Sequence, residues 1–247
     1  MAEQAAGAWS PADFTNVQYW WTADAGVTES GGVVSAWTDQ INSFQYDVAV
    51  NSPTLTTNAT LNGENVISLN GIDQYIYASN PIASNGGGDW TVLQVMDLRG
   101  AGNAGAFMGY VLVGTDNGRW WNDTLSSNLR HFNQGFGGTY NFESPLTTGA
   151  KAIKIRYDNT AGNNYYALNT LTETLGASGG NVGQDWTANG VLSMGATLNS
   201  RSNPTVFGGR HVPIDVAEQV WIYGTPSPTE MTEWQTYVNN KYGTIIS

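Results

Sequence analysis

Any chemistry in this sequence must come from carboxylates, two histidines, tyrosines and amides, because cysteine is absent and nine Lys and Arg face twenty Asp and Glu. The missing thiols exclude a disulfide scaffold, a thiolate zinc site and a cysteine nucleophile. An eliminative centre would need a base, a tyrosine and groups that neutralise a substrate carboxylate. Arg119, His131, Asn133 and Tyr140 supply those types on neighbouring predicted strands of the middle of the chain. Period-two alternation puts Arg119 with Trp121 on one face, and His131 with Asn133 on one face. A single histidine among polar strand residues is ordinarily just hydrogen-bonded, so we assign no catalytic residue. The closest acidic spacing, Glu230 and Glu233, falls on a predicted C-terminal helix and reads as a cap plus a solvated face.

Metal and phosphate chemistry fare no better. Asp116-Asn117-Gly118 or Asp158-Asn159 could hold Ca²⁺, but no EF-hand spacing is present and Asx turns account for both. No metal and no cofactor is assigned. Gly135-Phe136-Gly137-Gly138 has no following Lys or helix, so it reads as a hairpin turn instead of a phosphate loop. A net charge of -11 without a basic run argues against nucleic acid and anionic membrane surfaces as partners.

What remains is aromatic. Sugars present apolar CH faces beside hydroxyls, so their sites combine a flat ring with amide, acid or guanidinium hydrogen-bonding groups. Trp120, Trp121, Tyr140, Tyr165 and Tyr166 are interleaved with such groups. Adjacent aromatics of a strand point to opposite faces, so one of each pair belongs to packing. The predicted glycan-binding surface is Arg119, Trp121, His131, Asn133 and Tyr140.

The elements that would position these residues are strands. At 247 residues, with 40% apolar and 12% charged residues and 30 glycines, the composition suits an all-β chain filling one domain, 1–247, with 1–9 as a flexible or docking arm. Val17 to Thr22 and Val33 to Thr38, parted by Gly31-Gly32, read as strand, turn, strand. Eleven more short strand candidates follow, broken by Asn62-Gly63, Asn70-Gly71, Asn117-Gly118 and Asn189-Gly190. Ser10-Pro11-Ala12-Asp13 predicts a helical turn. Ser227-Pro228-Thr229-Glu230 is a capping box, with Met231, Trp234 and Val238 at helical spacing and Gly243 as terminator, which predicts one closing helix.

The order of motifs resembles a known family. Pro11-Ala12-Asp13, then Tyr19-Trp20-Trp21-Thr22-Ala23-Asp24, Gly32-Val33-Val34-Ser35-Ala36-Trp37-Thr38-Asp39, Asn62-Gly63 through Tyr75, Arg156-Tyr157-Asp158 and Glu218-Gln219-Val220-Trp221-Ile222-Tyr223 are similar to the signature of concanavalin A-like, laminin-G-like jelly rolls of phage virion and bacterial surface proteins. The resemblance implies an antiparallel jelly-roll β-sandwich with a short C-terminal helix, and interior positions for Trp20, Trp21, Trp37 and Trp221. Asp39-Gln40-Ile41-Asn42 departs from the family's Gly-rich turn. The glucanase run Glu-x-Asp-x-x-Glu and the family's lyase motifs are missing.

Residues 1–10 carry neither a cationic segment nor an apolar core, so no signal peptide is predicted, and no run is long enough to span a membrane. Together with the resemblance this implies a non-enzymatic virion surface protein: a capsid decoration, fibre or knob component assembled in the host cytoplasm. Its partners would be virion proteins such as the major capsid protein, in an oligomer, and a host-surface glycan. The alternative is a secreted carbohydrate-binding module or lyase-like enzyme on the same fold.

Overall fold

A computed structural model describes residues 8–83, 86–100, 105–111, 119–125, 128–134, 138–177, 191–198 and 206–247; within these, 105–106, 109–111, 119–125, 131–134, 138–142, 177, 197 and 207–210 are described by their backbone alone. The first strands are β1 (Val17–Thr22), β2 (Val27–Ser30), β3 (Val33–Thr38), β4 (Gln45–Tyr46), β5 (Val48–Val50), β6 (Thr54–Asn58) and β7 (Glu64–Asn70). Then come β8 (Tyr75–Tyr77), β9 (Trp90–Leu98), β10 (Gly105–Val111), β11 (Arg119–Leu125), β12 (Asn128–Gln134), β13 (Gly138–Glu143), β14 (Gly149–Asp158) and β15 (Asn163–Leu168). The last are β16 (Thr174–Ala177), β17 (Val191–Met194), β18 (Ala196–Leu198), β19 (Val206–His211) and β20 (Pro213–Tyr223), before the helix α1 (Pro228–Tyr242).

These form a sandwich. The back sheet runs β16-β15-β14-β9-β20-β7-β6-β3-β2, with β1 added on β20 and β4 on β3; the front sheet runs β13-β12-β11-β10-β17-β8-β5. All pairings are antiparallel. Alternation does the sorting. Trp21, Trp37, Ile67, Val92, Met96, Ile153, Ile155 and Trp221 of the back sheet meet Ile76, Phe107, Met108, Leu192 and Met194 of the front sheet in one core. The all-β antiparallel sandwich with a single C-terminal helix is therefore as expected from the sequence.

A second core lies outside the sandwich. Leu93, Val95, Val220 and Ile222 project from the other face of the back sheet and are covered by Met231, Trp234, Val238 and Tyr242 of α1. The helix begins as its sequence predicts: Ser227 Oγ accepts from the Glu230 N–H at 3.2 Å and Glu230 accepts from the Ser227 N–H at 2.7 Å. Burial pulls Glu230 up, but the N–H groups of Thr15, at 2.6 Å, and Ser227 outweigh it and hold the carboxyl down at about 2. Trp9, in the segment expected to be a flexible or docking arm, packs edge-on against Phe14 and Tyr237.

Two expectations are corrected. Trp20 does not join Trp21, Trp37 and Trp221 inside the sandwich: it is half-buried on the helix side and donates through Nε1 to Glu218 at 2.5 Å. The reason is alternation, since Trp20 and Trp21 are neighbours on one strand. Nor do β1 and β3 form the hairpin read from Gly31-Gly32. That turn joins β2 to β3, while β1 pairs with β20 from the far end of the chain.

Candidate functional site

The loop between β3 and β4 is built around one carboxylate. Asp39, 2% exposed, accepts from the N–H groups of Ile41 at 2.8 Å, Asn42 at 2.9 Å and Phe44 at 2.5 Å. Three donors fix the turn, and Ser43 takes a left-handed φ of 59° within it. The Asn42 amide ties the loop back by donating to the Gln18 carbonyl at 2.6 Å. Opposite stands the segment after β8. Asp47 accepts from the Ser79 N–H at 2.6 Å and from its hydroxyl, and the Tyr19 hydroxyl accepts from the Ala83 N–H at 2.9 Å.

Between these two walls lies an open groove of about 610 Å³, lined by Gln18, Tyr19, Asn42, Ser43, Phe44, Gln45, Asn80, Pro81 and Ala83. Four side-chain amides and a serine hydroxyl surround two aromatic rings and a proline. Burial raises the Tyr19 pKa and Asp39 adds to the rise, against the pull of the Ala83 bond, so the phenol stays neutral. Such a lining can bind by hydrogen bonding.

Elsewhere on the front sheet, β8 carries Tyr75 and Tyr77 on the outer face, because Ile76 between them is in the core. Their rings stack at 6.1 Å and 25°. His211, at the end of β19, lies 5.9 Å from Tyr75. Its residue is 9% exposed, yet Nδ1 has no hydrogen-bond partner. Burial lowers the imidazole pKa, against Asp73 and a hydrogen bond to the Gln74 carbonyl, so the ring is neutral at pH 7. Val191 and Leu198 support the tyrosines from below.

The register places the residues read from the sequence. Tyr77 pairs with Ser193, Ser193 with Gly109, and Gly109 with Trp121. Val111 pairs with Arg119. Positions 119 and 121 thus share the outer face with Tyr75 and Tyr77. By contrast, His131 pairs with Asn122 and Tyr140, and Asn122 pairs with Met108 of the core. Positions 131, 133 and 140 belong to the opposite register set, so the five do not form one face. The side chains of all five, and those of Trp120, lie outside the described residues.

Among the other aromatic candidates, Tyr165 lies under the Arg156 guanidinium at 3.9 Å, while Arg156 is also held by Glu173 at 2.7 Å. Of the suggested calcium loops, Asp158 caps its own turn by accepting from Ala161 N–H at 2.9 Å. Residues 116–118 lie outside the described residues. Among the described residues no group of three or more His, Asp or Glu could hold a metal ion.

Sequence reasoning missed the Asp39 loop, the Asn80 wall and the tyrosine strip. The signals were present: an Asx-rich turn at 39–42 where the resembled family has glycines, and a Tyr-x-Tyr alternation in β8.

No family model matches the chain, and no curated protein matches it in sequence. Solved structures do match its fold. Domain 4 of an extracellular arabinanase from Geobacillus stearothermophilus, in complex with arabinotriose, aligns over 90% of this chain and 98% of its own at 14% identity and a TM-score of 0.53. The binding domain of botulinum neurotoxin DC, in complex with SialylT, aligns over 94% and 52% at 9% identity and 0.55. Trypanosoma rangeli sialidase, in complex with the inhibitor DANA, aligns over 88% and 32% at 10% identity and 0.52, so this chain spans about a third of the sialidase's length. At these identities the likeness is one of fold: a concanavalin A-like β-sandwich.

Proposed function

We propose that the chain is a carbohydrate-binding module that recognises neutral sugars in the groove between Asn42 and Asn80, without a catalytic step. The observation that carries this reading is the lining: amides Gln18, Asn42, Gln45 and Asn80 beside the rings of Tyr19 and Phe44, with no charged side chain among the described lining residues. Amides match the paired donor and acceptor character of sugar hydroxyls, and the half-buried Phe44 ring offers apolar surface to CH groups, while Tyr19, 4% exposed and stacked on Trp21, forms the floor. The arabinanase domain and the neurotoxin domain, whose structures contain arabinotriose and SialylT, support carbohydrate binding in general by analogy of fold, and the arabinanase domain alone supports the neutral class. They favour a carbohydrate-binding module over a virion component, whose assembly with a capsid rests on the sequence resemblance alone.

The test is calorimetric titration with arabinotriose and a panel of neutral oligosaccharides, read beside an array of acidic ones. Binding to a neutral class, abolished in Gln45→Ala/Asn80→Ala with the melting temperature kept, is the expected result. Binding unchanged in that double variant would move the site elsewhere.

A further inference from the structure

We infer that the polar cluster beneath α1 is a proton-binding latch: it takes up a proton on Glu218 as the medium turns mildly acidic, and then holds the C-terminal helix more firmly than at neutral pH. Every element packed around Glu218 contributes to the cluster. β20 supplies the carboxyl itself, 0% exposed. β1 supplies Trp20, whose Nε1 donates to Oε1 at 2.5 Å. The turn after β1 supplies Asp24, and β7 supplies Glu64. α1 supplies the Tyr237 and Tyr242 hydroxyls and the Lys241 ammonium.

The charges do not balance. Among the described residues, the three carboxyls of Asp24, Glu64 and Glu218 face the one ammonium of Lys241. That ammonium makes its closer contacts elsewhere. It lies 2.9 Å from Asp24 and donates to the Tyr237 hydroxyl at 3.0 Å and the Thr22 hydroxyl at 3.3 Å, but stands 3.7 Å from Glu218. A carboxylate without exposed surface cannot spread its charge into water, so binding a proton relieves it. The neutral acid fits the same partners. Trp20 only donates and keeps Oε1, whereas tyrosine hydroxyls both donate and accept, so Oε2 can carry the hydrogen. Burial raises Glu218 against the pull of Lys241 and its hydrogen-bond donors, and burial with Asp24 raises Glu64 in the same sense. The folded chain therefore binds protons that the unfolded chain releases. Stability from this source grows as pH falls from neutral toward the ordinary carboxyl value of 4.5.

Hydrogen exchange decides it. Protection of the α1 amides, corrected for the intrinsic pH dependence of exchange, is followed from about pH 8 to about pH 5 in the parent, Glu218→Gln, Asp24→Asn and Lys241→Met. In the parent, protection rises toward acid by up to about tenfold per pH unit, the limit for one proton. Glu218→Gln has no carboxyl to titrate and loses most of that rise. Asp24→Asn removes a repelling charge and frees Lys241 for Glu218, which moves the rise to lower pH. Lys241→Met moves it to higher pH. Parent protection that is flat or falls toward acid overturns the latch, and so does a rise kept in full by Glu218→Gln. If Glu218→Gln does not fold, the other two variants decide alone, and a rise that stays at the parent's pH in both overturns the latch.

Discussion

The two outer faces of the sandwich treat buried polar groups in opposite ways. On the back sheet, Glu218 is 0% exposed beneath α1, and its carboxylate accepts from Trp20 Nε1 at 2.5 Å, from the Tyr237 hydroxyl at 2.9 Å and from the Tyr242 hydroxyl. Lys241 approaches it at 3.7 Å and pairs with Asp24 at 2.9 Å. Burial pushes the Glu218 carboxyl up, opposed by Lys241 and by its three hydrogen-bond donors. Burial pulls Lys241 down, but Glu218 and Asp24 outweigh it and leave the ammonium raised. On the front sheet, Tyr75 and Tyr77 stay half-buried and His211 keeps an acceptor unpaired. A closed polar network fixes the helix to its sheet, whereas the unpaired His211 acceptor costs the front sheet free energy.

The comparison breaks first at Glu218. Glu218→Ala strands three hydrogen-bond donors, the Tyr242 hydroxyl among them fully buried, leaves Lys241 with Asp24, and is expected to cost about 3–5 kcal/mol, measured by urea denaturation with α1 losing its amide protection. Glu218→Gln retains an acceptor and should cost less. A change below 1 kcal/mol for the alanine variant, in the range of ordinary surface substitutions, would mean that the network is ornament.

Trp121 sharpens the other side. Its register sets position 121 in the row of Tyr77 and opposite to that of Met108, so Trp121→Ala is expected to cost less than removal of a tryptophan between the sheets. Trp21→Ala, by contrast, empties a fully buried site and should cost about 3–5 kcal/mol. Equal losses in melting temperature for the two variants would place Trp121 in the core instead.

The smallest effect concerns pH. Glu230 is held at about 2, below the ordinary carboxylate range, so its bonds to Thr15 and Ser227 stabilise the ionised folded form at neutral pH, and that stability is lost as pH falls from about 5 toward 2. An acid titration of thermal stability should therefore be flatter over this window for Glu230→Gln than for the parent. Parallel curves would assign acid sensitivity to other groups.

Much of the fold was legible because its signals are local. The capping box at Ser227 and the apolar spacing of Met231, Trp234 and Val238 specify α1, since one turn of helix reads only its own residues. Alternation in Val92-Leu93-Gln94-Val95-Met96 marks a strand buried on both faces only as a continuous apolar run, yet it could not say that one face meets a sheet and the other a helix. The short strands β2, β4, β5 and β6 carry too few residues for a pattern, and they exist because β3, β7 and β8 lie ready to pair with them.

By itself the sequence determined the class of structure, its closing helix, its acidity and the absence of thiol chemistry, because these depend on composition and on contacts a few residues apart. Tertiary structure alone decided which residues share a surface. Trp20 and Trp21 part to opposite faces, Trp121 and His131 fall into different register sets, and His211 reaches Tyr75 from more than a hundred residues away. Strand pairing sets these juxtapositions, and a one-residue shift of register would exchange every face.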